Sequence, residues 1–220
     1  MGLRVYPPEG LRIVMLSTPV HRSRITIVRG GYDPLKKTIL LSDGLWCRKT
    51  LVHELLHAVS YFSYLSRVPN LFEALKRESE FVEGLTEFLT GYVLYTKHNN
   101  CYNEWISKKY PVCSISYERY VRFFGALTQV LIPMSDLIKL YVYNPQIDWS
   151  DSYKAFLNHY NLEDFLINKP NRKVPSVILL EDMVVKLLRE KVGEEKVEEF
   201  RELLYEAPLD VVLDYSNIMK

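Results

Sequence analysis

Three short runs of apolar, β-prone residues open the chain and are separated by turn residues. Residues 11–18 form a run that stops at Pro19, residues 22–29 alternate between apolar and polar positions, and residues 37–41 form the third run. The glycines, aspartate and proline within 30–34 are typical of a turn. This pattern predicts a small three-stranded N-terminal sheet.

Helical periodicity follows the predicted sheet. The first predicted helix spans about residues 45–66, with Ser42 or Asp43 as its N-cap, because short polar side chains bind the exposed amides of a first helical turn. The second spans about residues 71–97, with Asn70 as its N-cap. The sheet is expected to pack on these two helices, since each carries an apolar face that must be buried.

Helical patterns continue to the C-terminus after a polar break at residues 98–100 and a loop rich in tyrosine and lysine. Ser135 is a plausible N-cap, and the prolines and cations of residues 168–175 are typical of a linker. We therefore predict an α+β fold, with a domain over residues 1–167 and a C-terminal helical extension over residues 168–220. The further predicted helices span residues 117–132, 136–143, 151–160, 176–192 and 194–205.

Composition narrows the function classes. A chain of 220 residues that is 48% hydrophobic can bury one substantial core. A formal charge of +1 and an isoelectric point near 7.7 argue against nucleic acid or an anionic membrane surface as the main partner. The chain has no run of 18 apolar residues and no signal-peptide pattern, so the sequence predicts a soluble, cytoplasmic protein.

The cysteines are few and odd in number, which is unlike a disulfide-rich secreted scaffold. Cys101 and Cys113 have two open interpretations: they pair with each other, or they bind a metal together with His98. The second interpretation lacks an obvious fourth ligand and the close spacing that structural zinc sites usually have. The third cysteine, Cys47, lies at the start of the first predicted helix.

The first predicted helix carries an H-E-x-x-H pattern formed by His53, Glu54 and His57. Residues four apart lie on one helical face, so both imidazoles would aim at one point, with the carboxylate at the adjacent edge. This arrangement suits a zinc ion and its bound water. The alternative is an ordinary amphipathic helix with two histidines. Against it, burying these polar groups is costly unless something pairs with them, and their neighbours are apolar: Leu51, Val52, Leu55, Leu56, Ala58 and Val59.

The second predicted helix supplies candidates for a third ligand. Glu83 is the favoured one, because the adjacent Gly84 would let this helix approach the histidine helix closely. Glu87, one turn further on, is placed to accept a hydrogen bond from a ligand imidazole. Glu80 and Glu87 are alternative ligands, and all three could be surface charges. Against the surface interpretation, buried carboxylates need a cation, and their neighbours are apolar: Phe81, Val82, Leu85, Phe88 and Leu89.

Together, the H-E-L-L-H residues 53–57 and the E-G-L-T-E residues 83–87 resemble the gluzincin branch of zinc metallopeptidases. The closest likeness is to the compact minigluzincins and the peptidase-MA-like proteins, and it covers roughly residues 20–130. In such families a short twisted sheet precedes the active-site helix, and its edge strand binds substrate by strand addition. The resemblance makes residues 37–41 the candidate edge strand and residues 1–167 a zincin-like metallopeptidase domain.

The resemblance also implies a role for each matching residue. His53, His57 and Glu83 become the ligands of a zinc cofactor, Glu54 the general base that activates the zinc-bound water, and Glu87 the acidic group behind a ligand. The implied function is hydrolysis of peptide bonds.

A tetrahedral oxyanion would need a further donor besides zinc. Tyr117 is our candidate, because a tyrosine from the segment after the glutamate helix could reach the site. Tyr120 and His159 are alternatives, and a packing role stays open for each of the three.

Two other functions stay open. A zinc-stabilised regulatory or binding protein would keep the metal and cleave little, and a further ligand from Cys47 or Cys101 would favour it. Glu54 argues against this function, since a structural zinc has no use for that carboxylate. The second alternative is a protease dedicated to one regulatory partner. No basic stripe or DNA-binding motif is present, so the expected partner is a peptide or protein substrate, not nucleic acid or a membrane.

Overall fold

The computed structural model describes six segments of the chain, which are residues 7–17, 20–21, 27–60, 79–107, 114–143 and 177–218. Several predictions fall outside them: the N-cap Asn70, the helix over 151–160 with His159, the linker over 168–175, and the boundary between residues 167 and 168. These stay predictions.

A three-stranded mixed sheet is the main β-structure. It consists of β1 (Arg12–Leu16), β4 (Gly30–Asp33) and β5 (Thr38–Ser42), in the order β1-β5-β4. Strand β1 runs parallel to β5, and β4 runs antiparallel to it. Between β1 and β4 along the chain, β2 (Val20–His21) and β3 (Ile27–Val28) form a separate two-stranded antiparallel sheet. The prediction of a small three-stranded N-terminal sheet is confirmed.

The strand assignments need three corrections. Residues 30–34 were expected to form a turn, but Gly30–Asp33 is the strand β4, and the turn comes after it. The predicted strand over 22–29 is described only from residue 27, and its end belongs to the two-stranded sheet. The prediction of an edge strand over 37–41 is wrong: β5 is central, because it pairs with β1 on one side and with β4 on the other. Ile39 and other members of β5 are buried, as is typical of a strand covered on both faces. The edges of this sheet are β1 and β4.

The chain divides into two compact units, and the first comprises residues 1–72 and 89–116. In this unit the sheet packs on helix α1 (Arg48–Val59). The unit also holds the second half of helix α2 (Ser79–Lys97) and all of helix α3 (Asn99–Ile106). The first part of the loop expected after residue 100 is instead this third helix, which ends at Ile106, since Tyr102 and Trp105 pack into the unit's core. That core includes Ile39, Leu41, Ala58, Leu94, Tyr102 and Trp105.

The second unit comprises residues 73–88 and 117–220, and it is helical throughout its described part. The first half of α2 contributes Phe81 and Phe88, whose rings contact Phe124 at centroid distances of 5.3 and 6.1 Å. Phe123 contacts Phe124 and Phe200 in the same apolar core. The other elements are α4 (Glu118–Val130), α5 (Met134–Tyr143), α6 (Val177–Lys191), α7 (Glu194–Arg201), a π-helix (Glu202–Glu206), α8 (Leu209–Val212) and α9 (Tyr215–Ile218).

Helix α4 lies where the sequence placed it and ends before Pro133, and α6 likewise ends before Gly193. The predicted cap Ser135 is wrong, because α5 begins at Met134 and therefore already includes Ser135. The predicted α+β class, with a small sheet and a mainly helical C-terminal part, is confirmed. Within the described residues, no helix combines the length and the apolar character needed to cross a membrane.

Candidate metal centre

Five residues separate the end of β5 from the start of helix α1, and a local hydrogen bond fixes the first residue of the helix. Cys47 is the N-cap, with extended backbone at φ −136° and ψ 176°. Its N–H donates to Thr50 Oγ1 at 3.5 Å, so the threonine takes the place that glutamate or glutamine occupies in a capping box. The predicted caps are therefore wrong: Ser42 belongs to β5, and Asp43 lies in the turn that follows it.

The two histidines of α1 point their outer ring nitrogens at one location. His53 Nε2 and His57 Nε2 are 3.1 Å apart, and the ring centroids are 4.8 Å apart with an interplanar angle of 73°. His53 is 8% exposed and His57 is half-buried. The helical spacing of four residues therefore produces the convergence that the sequence pattern predicted.

Glu54 is 7% exposed and lies against the edge strand β4. A Cβ placed on Gly30 of β4 would lie 3.3 Å from Glu54 Cγ and only 2.8 Å from Thr50 Cγ2. Glycine at this position thus permits the close approach of the strand to the helix. The aliphatic part of the Glu54 side chain is consequently held between α1 and β4. Glu54 directly follows His53 on the helix.

Glu83 of α2 joins the histidines. His53, His57 and Glu83 each offer one ligand atom, and these atoms all lie within 4.8 Å of one another. Among the described residues, these three side chains therefore form a group that could hold one metal ion. The group includes neither Glu87 nor the cysteines Cys47 and Cys101.

The donor set fits zinc. Two imidazole nitrogens and one carboxylate are the protein ligands of a common type of catalytic zinc site, which keeps a fourth position for water or substrate. In a tetrahedral site with zinc–nitrogen bonds of about 2.0–2.1 Å, two nitrogens lie about 3.3 Å apart. The observed separation of 3.1 Å between the histidine nitrogens is close to that value.

Gly84 has a different role from the expected one. A Cβ on this residue would lie 2.2 Å from the Cβ of Tyr120, and its three nearest atoms all belong to that tyrosine. The glycine therefore admits α4 against α2 within the second unit. The prediction that it faces the histidine helix is wrong. Tyr120, an alternative oxyanion donor in the sequence, is buried in this contact.

The remaining predicted residues lie on α2 and at the start of α4. Glu87 is fully buried, so the interpretation of this carboxylate as a surface charge is wrong. Tyr117 precedes α4, is 41% exposed and has a left-handed backbone with φ 52° and ψ 37°. Its carbonyl oxygen accepts hydrogen bonds from the N–H groups of Tyr120 and Val121, which begin the helix. Cys101 Sγ lies 4.0 Å from Arg48 Nη1.

The sequence reasoning missed Lys49, which is buried on α1. Its Nζ donates to Ser116 Oγ at 3.3 Å. The signal was present in the sequence, because Lys49 lies four residues before His53 and hence one turn away on the same helical face.

No protein-family model, curated protein or solved structure matches this chain. The resemblance to the gluzincins therefore stands on residues 53–57 and 83–87 alone. The three residues that the resemblance assigns to the metal come together in the structure: His53, His57 and Glu83.

Proposed function

We propose that this protein is a zinc-dependent peptidase of the gluzincin type. The observation that carries the proposal is the convergence of one ligand atom each from His53, His57 and Glu83 within 4.8 Å. A second observation supports hydrolysis over simple metal storage. Glu54, next to His53 on the same helix, is buried. A purely structural zinc site would have no use for this additional carboxylate.

Bound zinc would supply Lewis-acid chemistry, polarising a peptide carbonyl and activating a water. In the proposed reaction, Glu54 takes the proton of the attacking water as general base. The same carboxylate then returns a proton to the leaving amine nitrogen as general acid. Its burial against β4 limits its side-chain freedom, which favours a fixed orientation toward the reacting atoms.

Glu87 and Tyr117 complete the proposed machinery. Glu87 would accept a hydrogen bond from a ligand imidazole, which fixes the ring orientation and raises the basicity of the ligand. The phenol of Tyr117 would donate a hydrogen bond to the oxyanion of the tetrahedral intermediate. The exposure of Tyr117 supports a role at a surface that substrate can reach, whereas Tyr120 is buried against Gly84.

The decisive experiment compares Glu54→Gln with the wild type. We expect both purified proteins to bind one zinc by inductively coupled plasma mass spectrometry, because glutamine leaves the three ligands intact. Hydrolysis of fluorescein-labelled casein should fall at least about 100-fold, the size of a general-base contribution. Glu190→Gln, which changes an exposed glutamate of α6, is the matched control and should hydrolyse casein at the wild-type rate.

Equal hydrolysis by Glu54→Gln and the wild type would contradict the peptidase mechanism. One bound zinc without hydrolysis in the wild type would favour the zinc-stabilised binding protein. The composition of the site argues against that outcome, since the metal-binding group found among the described residues includes no cysteine.

A further inference from the structure

We propose that Lys49 is a positioning residue that holds Tyr117 in place through Ser116. This inference rests on the proposed peptidase function and on the oxyanion role of Tyr117. It assigns a task to a buried side chain that the metal ligands and the general base leave unexplained.

Lys49 is an unfavourable residue for its location on two independent grounds. It is 7% exposed, and lysine is rarely so deeply buried because its ammonium loses hydration. It is also the second residue of α1, where the positive end of the helix dipole disfavours a cation, and the first turn contains no acidic residue. A residue that is costly in both respects is expected to have a specific role.

A hydrogen bond from Lys49 to Ser116 points to that role. Its Nζ donates to Ser116 Oγ at 3.3 Å, and Ser116 is the residue directly before Tyr117 along the chain. Lys49 is therefore a link between the helix that carries His53 and Glu54 and the chain segment that leads into Tyr117.

Tyr117 needs such a link, because its backbone is strained. A bulky residue with φ 52° is uncommon and persists only where the surrounding structure enforces it. On its C-terminal side the carbonyl of Tyr117 is fixed by two hydrogen bonds from the first turn of α4. On its N-terminal side one anchor is the hydrogen bond between Ser116 and Lys49. Loss of that bond would loosen this side.

The first experiment measures hydrolysis of an internally quenched peptide by zinc-loaded full-length protein. We expect Lys49→Met to lower kcat on the order of 10-fold with little change in KM, because a small displacement of a catalytic group affects the transition state most. Lys49→Arg, which keeps a cationic donor, should recover most of kcat. Lys139→Met, at an exposed lysine of α5, is the matched control.

A double-mutant cycle tests the connection to Tyr117. Tyr117→Phe removes the phenol and should lower kcat on the order of 100-fold. Lys49→Met should add little to that loss, since the side chain it positions is already inactive. Independent, multiplicative losses would overturn the proposal, as would a Lys49→Arg variant as slow as Lys49→Met.

Hydrogen–deuterium exchange provides a readout that does not depend on activity. In Lys49→Met, amides of residues 114–121 should exchange faster than in the wild type, whereas those of α5 should be unchanged. Unchanged exchange at 114–121 would overturn the positioning role even if hydrolysis is present. If Lys49→Met exchanges faster at 114–121 but the wild-type protein hydrolyses no peptide, the catalytic role is overturned together with the proposed function. The zinc content of the wild type would then show whether the metal site survives.

Discussion

At the scale of single residues, Gly30 is the one whose substitution should most directly disturb the proposed base. A Cβ on Gly30 would lie 2.8 Å from Thr50 Cγ2 and 3.3 Å from Glu54 Cγ, whereas a Cβ on the neighbouring Gly31 would meet no atom within 4 Å. Both glycines belong to β4. Comparing an alanine substitution at each position therefore separates the effect of the contact with α1 from the general effect of alanine in a strand.

We predict that Gly30→Ala lowers the free energy of unfolding by about 1–3 kcal/mol, the usual cost of overpacking, because the branched Thr50 side chain cannot move aside easily. It should also slow peptide hydrolysis, since Glu54 is displaced with the helix. Gly31→Ala should leave both quantities close to the wild type. Urea unfolding and casein hydrolysis of the two variants provide the check, and equal effects at both positions would contradict this account.

The candidate metal ligands were more predictable than their surroundings. His53 and His57 converge because helical geometry alone brings residues four apart together, and this can be read from spacing. The partners of Gly84 and Lys49 could not be read in this way, since Tyr120 and Ser116 are distant in the sequence and meet them only through tertiary packing.

At the scale of elements, a buried carboxylate joins three helical elements of the second unit. Glu181 of α6 is buried and accepts two hydrogen bonds from Arg119 of α4, at 3.0 and 2.9 Å. It also accepts one from the hydroxyl of Tyr205, in the π-helix, at 2.6 Å. The hydrogen bond to Glu181 is the main cause that raises the pKa of Tyr205, and desolvation adds to it.

This contact predicts a pH-dependent effect of Tyr205→Phe. The variant should lose about 1 kcal/mol of unfolding free energy at pH 7, because the phenol of this largely exposed residue no longer donates to Glu181. A raised pKa in the folded state means that the contribution is complete below about pH 10, the value in the unfolded chain, and is lost as the pH rises through the folded pKa. Urea unfolding of both proteins from pH 7 upward should show a gap that narrows above about pH 10; a gap that stays constant would contradict the assignment.

The elements themselves were predictable where local signals agreed with packing. Helix α4, with its strong apolar periodicity and following Pro133, lies where expected. The strand β4 was missed because glycines have low strand propensity, and the close approach of α1, which explains Gly30, arises only in the folded structure. The central position of β5 had a readable signal: the unbroken apolar run from Ile39 to Leu41 is typical of a strand covered on both faces.

At the scale of the whole molecule, the proposed zinc connects metal binding to folding stability. Its ligands come from two helices, since His53 and His57 belong to α1 and Glu83 to α2. An unfolded chain does not hold these three groups together, so a metal that binds them binds the folded state preferentially. Such binding adds to the free energy of unfolding by mass action.

We therefore predict that removal of zinc with a chelator lowers the melting temperature. At a free zinc concentration about 100 times the dissociation constant, the stabilisation is about 2.7 kcal/mol. For a chain of this length, that corresponds to a shift of roughly 5–10 °C. Differential scanning calorimetry of the metal-loaded and chelated protein measures the shift directly. Glu54→Gln should show the full shift because the base is not a ligand, whereas Glu83→Ala should show much less of it. A chelator shift that Glu83→Ala retains in full would remove Glu83 from the ligand set.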